Sequence, residues 1–221
     1  FGSAGYNTYL INALSNDNKY VEKKGHYDIL VGNDKDYLAT RVSHKLGLKG
    51  PSFSVQCACS SSLVAVHLAC QSLLMGESDM CLAGAANVRV PTEVGYNYQT
   101  GFFMSEDGHC RAYDDRGTGT VFGSGVGVIV LKRLEDAIAD DDYIYSVIRV
   151  TSVNNDGDRK IGFTAPSFEG QTEVTQTALS LENIEPESIR FIEGHGTGTV
   201  LGDPIELNSI KNTFNLESVE A

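Results

Sequence analysis

Residues 55–70 read Val55-Gln56-Cys57-Ala58-Cys59-Ser60-Ser61-Ser62-Leu63-Val64-Ala65-Val66-His67-Leu68-Ala69-Cys70. A β-forming lead gives way to a bend of small residues and then to a nearly all-apolar run. That run predicts a helix from Ser60 to about Met75, stopped by Gly76. Strand, sharp turn and buried helix in succession are α/β building units, and such turns often carry chemistry. The bend sets Cys59 directly ahead of Ser60-Ser61-Ser62, in the manner of a nucleophile elbow. A thiol at a helix N-terminus faces the positive end of the macrodipole and unpaired N–H donors, both of which stabilise thiolate. The same N–H groups can serve the oxyanion of an attached acyl group. The competing reading is a buried structural cysteine followed by serines that cap a helix.

Outward from this segment the pattern stays α/β. Tyr27–Val31 reads as a buried strand, Asp36–Leu46 as an amphipathic helix, and Gly50-Pro51 as a turn into a strand at Ser52–Val55. Met80–Ala85 and Val126–Leu131 are continuous apolar runs, which predicts strands inside a sheet covered on both faces. The glycine-rich stretch Gly117–Gly127 does not spell G-x-G-x-x-G and reads as packing or a tight turn. A helical piece ends in Asp140-Asp141-Asp142, where a boundary is expected between 1–142 and 143–221. Beyond it the expectations are a strand at Tyr143–Val150, a helix at Glu169–Asn183, a strand at Arg190–Glu193 and a helix at Asp203–Phe214.

The composition is that of a globular chain: 221 residues, 41% hydrophobic and 21% charged. With 17 Lys+Arg against 29 Asp+Glu, the net charge of −12 argues against nucleic acid or an anionic membrane as main partner, since both need a positive face. No run approaches the ~20 apolar residues of a membrane span and no signal peptide opens the chain, so the expected setting is cytoplasmic. The chain opens Phe1-Gly2-Ser3-Ala4-Gly5 without Met, which reads as a fragment or a trimmed chain. Its five cysteines are an odd count in a chain too large to need staples, and so read as free thiols. Cys57 reads as packing, Cys70 and Cys81 as core, and Cys110 as a loop residue that no pattern elevates. Cys57-Ala58-Cys59 is a lone C-x-C without a second cluster, so no metal site is expected. The aromatic-flanked cysteine pattern of papain-like proteases is absent.

A second informative segment is Phe191-Ile192-Glu193-Gly194-His195-Gly196-Thr197-Gly198-Thr199-Val200-Leu201-Gly202-Asp203-Pro204-Ile205-Glu206. A strand end would deliver His195 into small residues where backbone, hydroxyls and imidazole can all approach a ligand. The stretch lacks the Lys of a phosphate-binding P-loop, which excludes that class of NTPase. Asp203, Pro204 and Glu206 fit a variant capping box, with Asp203 as N-cap and Glu206 as returning carboxylate. His67 follows Cys59 by eight residues, roughly 12 Å along one helix and out of hydrogen-bond reach. His26, His44 and His109 read as surface residues.

Taken together, the Cys59 segment and the Glu193–Thr199 and Gly202–Glu206 stretches resemble the β-ketoacyl synthases. More narrowly, they are similar to the ketosynthase domain of bacterial modular type I polyketide synthases. Supporting stretches are Asn33–Arg41, Asp107–Arg111, Asn154–Gly157 and Thr164–Ser167, in the family's order. The resemblance implies part of the thiolase-like fold, an α/β architecture of αβαβα layers built from duplicated halves and usually homodimeric. On that basis 1–142 is the N-terminal half carrying the nucleophile, and 143–221 the start of the C-terminal half. The implied chemistry is acyl transfer to Cys59, followed by decarboxylative Claisen condensation with a malonyl-type extender. His195 serves the decarboxylation, Thr197 and Thr199 contact the phosphopantetheine arm, and the Cys59 N–H is one oxyanion donor. The implied partners are acyl carrier protein and its acyl thioesters. No cofactor of the domain's own is implied, since substrates ride on the carrier's phosphopantetheine.

Three positions depart from the family pattern. Gln56 and Cys57 stand where Asp-Thr is common, and Gly194 where Ala or Thr is frequent. The family's second catalytic His, in Asn-x-Gly-His, and a Gly-Phe-rich oxyanion motif follow later than the last helix expected here. The chain by itself is therefore expected not to condense. Two alternatives stay open: a non-elongating ketosynthase that only passes acyl chains, and a non-catalytic dimerising, carrier-docking scaffold. A degradative thiolase shares the fold, but its histidine segment differs.

Overall fold

The computed structural model describes residues 1–3, 22–23, 25–91 and 95–216. They belong to two units, Phe1–Gly95 with Gly123–Val147, and Tyr96–Phe122 with Ile148–Ala221. In chain order the first unit holds β1 (Gly2–Ser3), α1 (His26–Asn33), α2 (Tyr37–Leu46), a 3-10 turn over Ala58–Ser60, α3 (Ser61–Leu74), β2 (Met80–Asn87), β3 (Gly125–Lys132) and α4 (Leu134–Ala139). The second holds α5 (Phe168–Leu181), a 3-10 turn over Pro186–Ser188 and α6 (Gly202–Phe214).

The first unit is built around β2. This strand pairs in parallel with β1, Gly2 opposite Ala85, and antiparallel with β3, from Met80 opposite Lys132 to Asn87 opposite Gly125. Helix α3 packs on β2. The small side chains of Ala83-Gly84-Ala85-Ala86 allow this close approach, and Ala83 is 1% exposed with Ala65 and Leu73 also buried. Arg133 fastens the far end of the layer. Its Nη1 donates to the carbonyls of Leu73 and Ser78 at 3.1 and 2.9 Å, its Nε bonds Asp136 at 2.7 Å and its Nη2 bonds Asp79 at 2.6 Å. The Leu73 carbonyl in the last turn of α3 thus finds a cation, as helix C-termini favour. The acidic run after α4 folds back onto Lys132, which pairs with Asp140 and Asp142.

Several expectations hold. The helix foreseen at 60–75 is α3, and 36–46 is α2, ended by Gly47 in the left-handed region at φ 67°. The apolar runs at 80–85 and 126–131 are strands β2 and β3. Helix α5 starts at Phe168 because Ser167, itself buried, accepts the Gly170 N–H at 3.0 Å. Thr172 of α5 and Ser209 of α6 share a buried hydrogen bond of 3.1 Å.

Other expectations fail for physical reasons. Tyr27–Val31 lies in helix α1, since a five-residue run apolar at all but Asp28 is equally a turn and a half of helix. There Ile29 is buried, and Arg41 of α2 bonds the Val31 carbonyl at 2.8 Å. Ser52–Val55 contributes only a bridge between Gly2 and Val55. β3 is not covered on both faces: among the described residues it is an edge strand, with Val126 and Val130 68% and 62% exposed. Tyr143–Val150 and Arg190–Glu193 form no strand among the described residues, because no neighbouring strand takes up their backbone groups. Cys70 and Cys81 are half-buried, and Cys57 is exposed. No helix among the described residues is long and apolar enough to cross a membrane.

Because Ala83 is buried where α3 packs on β2, Ala83→Leu should destabilise the first unit by about 1–3 kcal/mol. Chemical denaturation of the variant against the parent chain checks this.

Candidate active site

Cys59 sits in the 3-10 turn that runs directly into α3, and it is exposed. Ala58 before it adopts φ 49°, a conformation that bends the chain sharply for an L-residue. The neighbouring serines hold the bend. Ser60 Oγ donates to the Cys57 carbonyl and Ser61 Oγ to the Ala58 carbonyl, both at 2.8 Å, while the Cys57 N–H donates to Ser61 Oγ at 2.9 Å. Ser60, the residue before α3, makes no side-chain cap, so these hydroxyls brace the turn instead of capping the helix. Gln56 adds a tie to Ser3 Oγ at 2.9 Å. Cys59 is thus presented on a braced turn at a helix N-terminus.

His195, Thr197 and Thr199 lie together in the second unit, in a loop leading to α6. Gly196 and Gly198 take φ 54° and 67°, so the chain coils left-handed and turns successive N–H groups to one side. Two α6 carboxylates collect them. Asp203 is buried and accepts the Gly198 N–H at 3.0 Å, the Tyr113 N–H at 2.7 Å and the Thr197 hydroxyl at 3.3 Å. Glu206 accepts the His195 N–H at 2.5 Å, the Gly196 N–H at 2.9 Å and the Tyr113 hydroxyl at 2.8 Å.

This corrects the capping-box expectation. α6 begins at Gly202 after Leu201, whose side chain makes no cap bond, while Asp203 and Glu206 face the loop. Thr197 and Thr199 hydroxyls share a 2.8 Å bond, and Thr199 Oγ1 accepts the Gly202 N–H at 3.0 Å. Both threonines are half-buried, whereas His195 is exposed.

Two neighbours were not legible in the sequence. Tyr113 supplies two of the donors above, and Cys110 Sγ lies 3.3 Å from the Thr197 carbonyl. Both belong to Cys110-Arg111-Ala112-Tyr113, more than 80 residues earlier, and no local pattern links them to the loop. Burial pushes the Glu206 carboxyl up, but the Gly196, His195 and Tyr113 donors outweigh it and hold it below the ordinary glutamate value. Burial and the Glu206 carboxylate push the Tyr113 phenol up, so it stays a donor. Of the other histidines, His44 and His109 are exposed as expected, and the His26 side chain lies outside the described residues. Among the described residues no three His, Cys, Asp or Glu side chains group as metal ligands.

Residues 1–137 match the family described as Beta-ketoacyl synthase, N-terminal domain, and residues 145–220 match Beta-ketoacyl synthase, C-terminal domain. The chain belongs to the β-ketoacyl synthase family. Among its relatives is a phenolphthiocerol/phthiocerol polyketide synthase of Mycobacterium tuberculosis, 47% identical over 98% of this chain and 15% of that protein. Polyketide synthase PksN of Bacillus subtilis is 48% identical over 80% of this chain and 3% of its own length. Ketosynthase twelve of the bacillaene polyketide synthase from Bacillus amyloliquefaciens superposes with a TM-score of 0.89 at 43% identity, covering 97% of this chain and 37% of that one. The fold is therefore part of the thiolase-like ketosynthase fold, and the chain spans well under half the length of these relatives.

In this ketosynthase chain the carboxylates at the head of α6 generate two expectations. Asp203→Asn removes the charge and one acceptor, leaving a buried donor unmatched, and should cost about 1–3 kcal/mol by chemical denaturation. A depressed carboxyl contributes stability above its ordinary value of 4.5 and loses it as pH falls through the lower folded value. The His195 and Gly196 amide resonances should therefore titrate with a midpoint below pH 4.5. In Glu206→Gln that acid transition should vanish.

Proposed function

We propose that this chain carries the acyl-holding step of a β-ketoacyl synthase in polyketide or fatty acid biosynthesis. The observation that carries the reading is Cys59, exposed on a braced turn at the head of α3. Its thiolate attacks the carbonyl of an acyl thioester on the phosphopantetheine of acyl carrier protein. A new C–S bond forms, and the carrier thiolate leaves and takes up a proton. The Cys59 N–H serves as an oxyanion donor during this transfer.

His195 acts later, donating to the thioester oxygen of a malonyl-type extender as decarboxylation builds enolate charge. Thr199 Oγ1 accepts one N–H within the chain and has a second lone pair to offer. That suits Thr197 and Thr199 to an amide of the phosphopantetheine arm. The separate family matches at 1–137 and 145–220 support two ketosynthase halves meeting at the acidic run, 1–142 and 143–221. The family's homodimer and a cytoplasmic setting belong to the same reading. The 221 residues contain no Asn-x-Gly-His sequence, so acyl transfer and not condensation is assigned to them by themselves.

Incubation of the chain with an acyl-pantetheine thioester should add one acyl mass by intact mass spectrometry, and Cys59→Ala should abolish it. No adduct, or an adduct indifferent to Cys59, contradicts the assignment and favours a carrier-docking scaffold. Addition of a malonyl thioester should yield no new carbon–carbon bond with these residues alone.

A further inference from the structure

The residue before His195 is Gly194, and the Tyr113 hydroxyl lies in the space its side chain would need. A Cβ at 194 would overlap Tyr113 Oη, and would stand only 3.1 Å from Tyr113 Cζ and 3.2 Å from Glu206 Cδ. Gly194 is not in the left-handed region, so the position demands space and not a special backbone conformation. Tyr113 itself is fixed by a left-handed φ of 58° and by its N–H bond to Asp203 at 2.7 Å. From there its hydroxyl reaches Glu206 Oε2 at 2.8 Å. The two oxygens of Glu206 in turn hold the N–H groups of His195 and Gly196.

We propose that Tyr113 is a positioning residue for His195, and that it can act only because residue 194 has no side chain. Hydroxyl and missing methyl claim one volume, so positions 113 and 194 form a single coupled unit. A methyl at 194 would push Tyr113 and the Glu206 carboxylate away together, and the His195 backbone would lose its acceptor. Without the hydroxyl the overlap is gone, and the remaining contacts of 3.1 and 3.2 Å are relieved by shifts of a few tenths of an ångström, so Glu206 keeps both loop N–H groups. The proposal rests on the reading of His195 as a catalytic group only for its functional consequence.

The test uses the full 221-residue chain, isotope-labelled, as wild type, Tyr113→Phe, Gly194→Ala and the double variant. The readouts are the His195 and Gly196 amide resonances and the His195 imidazole Cε1–Hε1 signal, with His44 and His109 as internal references. Tyr113→Phe should shift these signals slightly and Gly194→Ala strongly. The double variant should recover most of the Gly194→Ala shift, a non-additivity expected only of groups in contact. A general loss of stability would not move the His195 imidazole signal while leaving the reference histidines in place.

Equal shifts in Gly194→Ala and the double variant, or an unmoved His195 imidazole in Gly194→Ala, would overturn the proposal. Should Gly194→Ala not fold, recovery of folded chain in the double variant supports it and failure to recover overturns it. Acylation of Cys59 is scored separately on the wild type. Non-additive shifts without an adduct leave the coupled pair standing and remove the enzymatic reading, whereas an adduct with additive shifts does the reverse.

Discussion

Two carboxylates at the head of α6 hold a loop that has no regular structure of its own. Phe191 to Gly198 lie outside every helix and strand, yet Gly198 is buried. Its N–H donors must find acceptors or carry a desolvation penalty. Asp203 and Glu206 meet that demand with charge-assisted bonds, stronger than those a neutral acceptor would give. Asp203 also stands in the first turn of α6, where negative charge suits the helix macrodipole. The same carboxylates take both donors of Tyr113, so one helix end fixes the loop and the segment beneath it.

The Cys59 turn follows a different plan. Its bend is held by hydroxyls from residues three and four positions away, and the helix it opens is held by apolar packing on β2. The bonds that shape the bend are local, and the tie from Gln56 to Ser3 adds a longer-range anchor. The His195 loop also takes a partner 87 residues distant, Cys110 on the Thr197 carbonyl. That difference accounts for which parts of the site were legible in the sequence.

The Cys59 bend and α3 could be read directly, because small residues, serines and an apolar period are local signals. Asp203 and Glu206 stand out in the sequence as a capping pair, but their partners are the loop N–H groups. Their spacing is that of a capping box, and spacing cannot show that the carboxylates turn toward a loop. Tyr113 and Cys110 could not be found, since only folding brings them to the loop. Tyr27–Val31 failed for the opposite reason: its apolar run fits helix and strand equally, and packing decides. The expected strands at 143–150 and 190–193 carry the right composition, but a strand exists only where a neighbour accepts its backbone bonds. Family membership was legible from the Cys59 and His195 motifs together, and the matches at 1–137 and 145–220 agree with it.

The central claim is that side-chain carboxylates, and not regular structure, order the His195 loop. Hydrogen–deuterium exchange of the full chain tests it most directly. The amides of Tyr113, His195, Gly196 and Gly198 should exchange slowly, on the scale of those within α6, while that of exposed Val200 exchanges fast. Fast exchange at all four loop-site amides alongside a protected α6 would contradict the account.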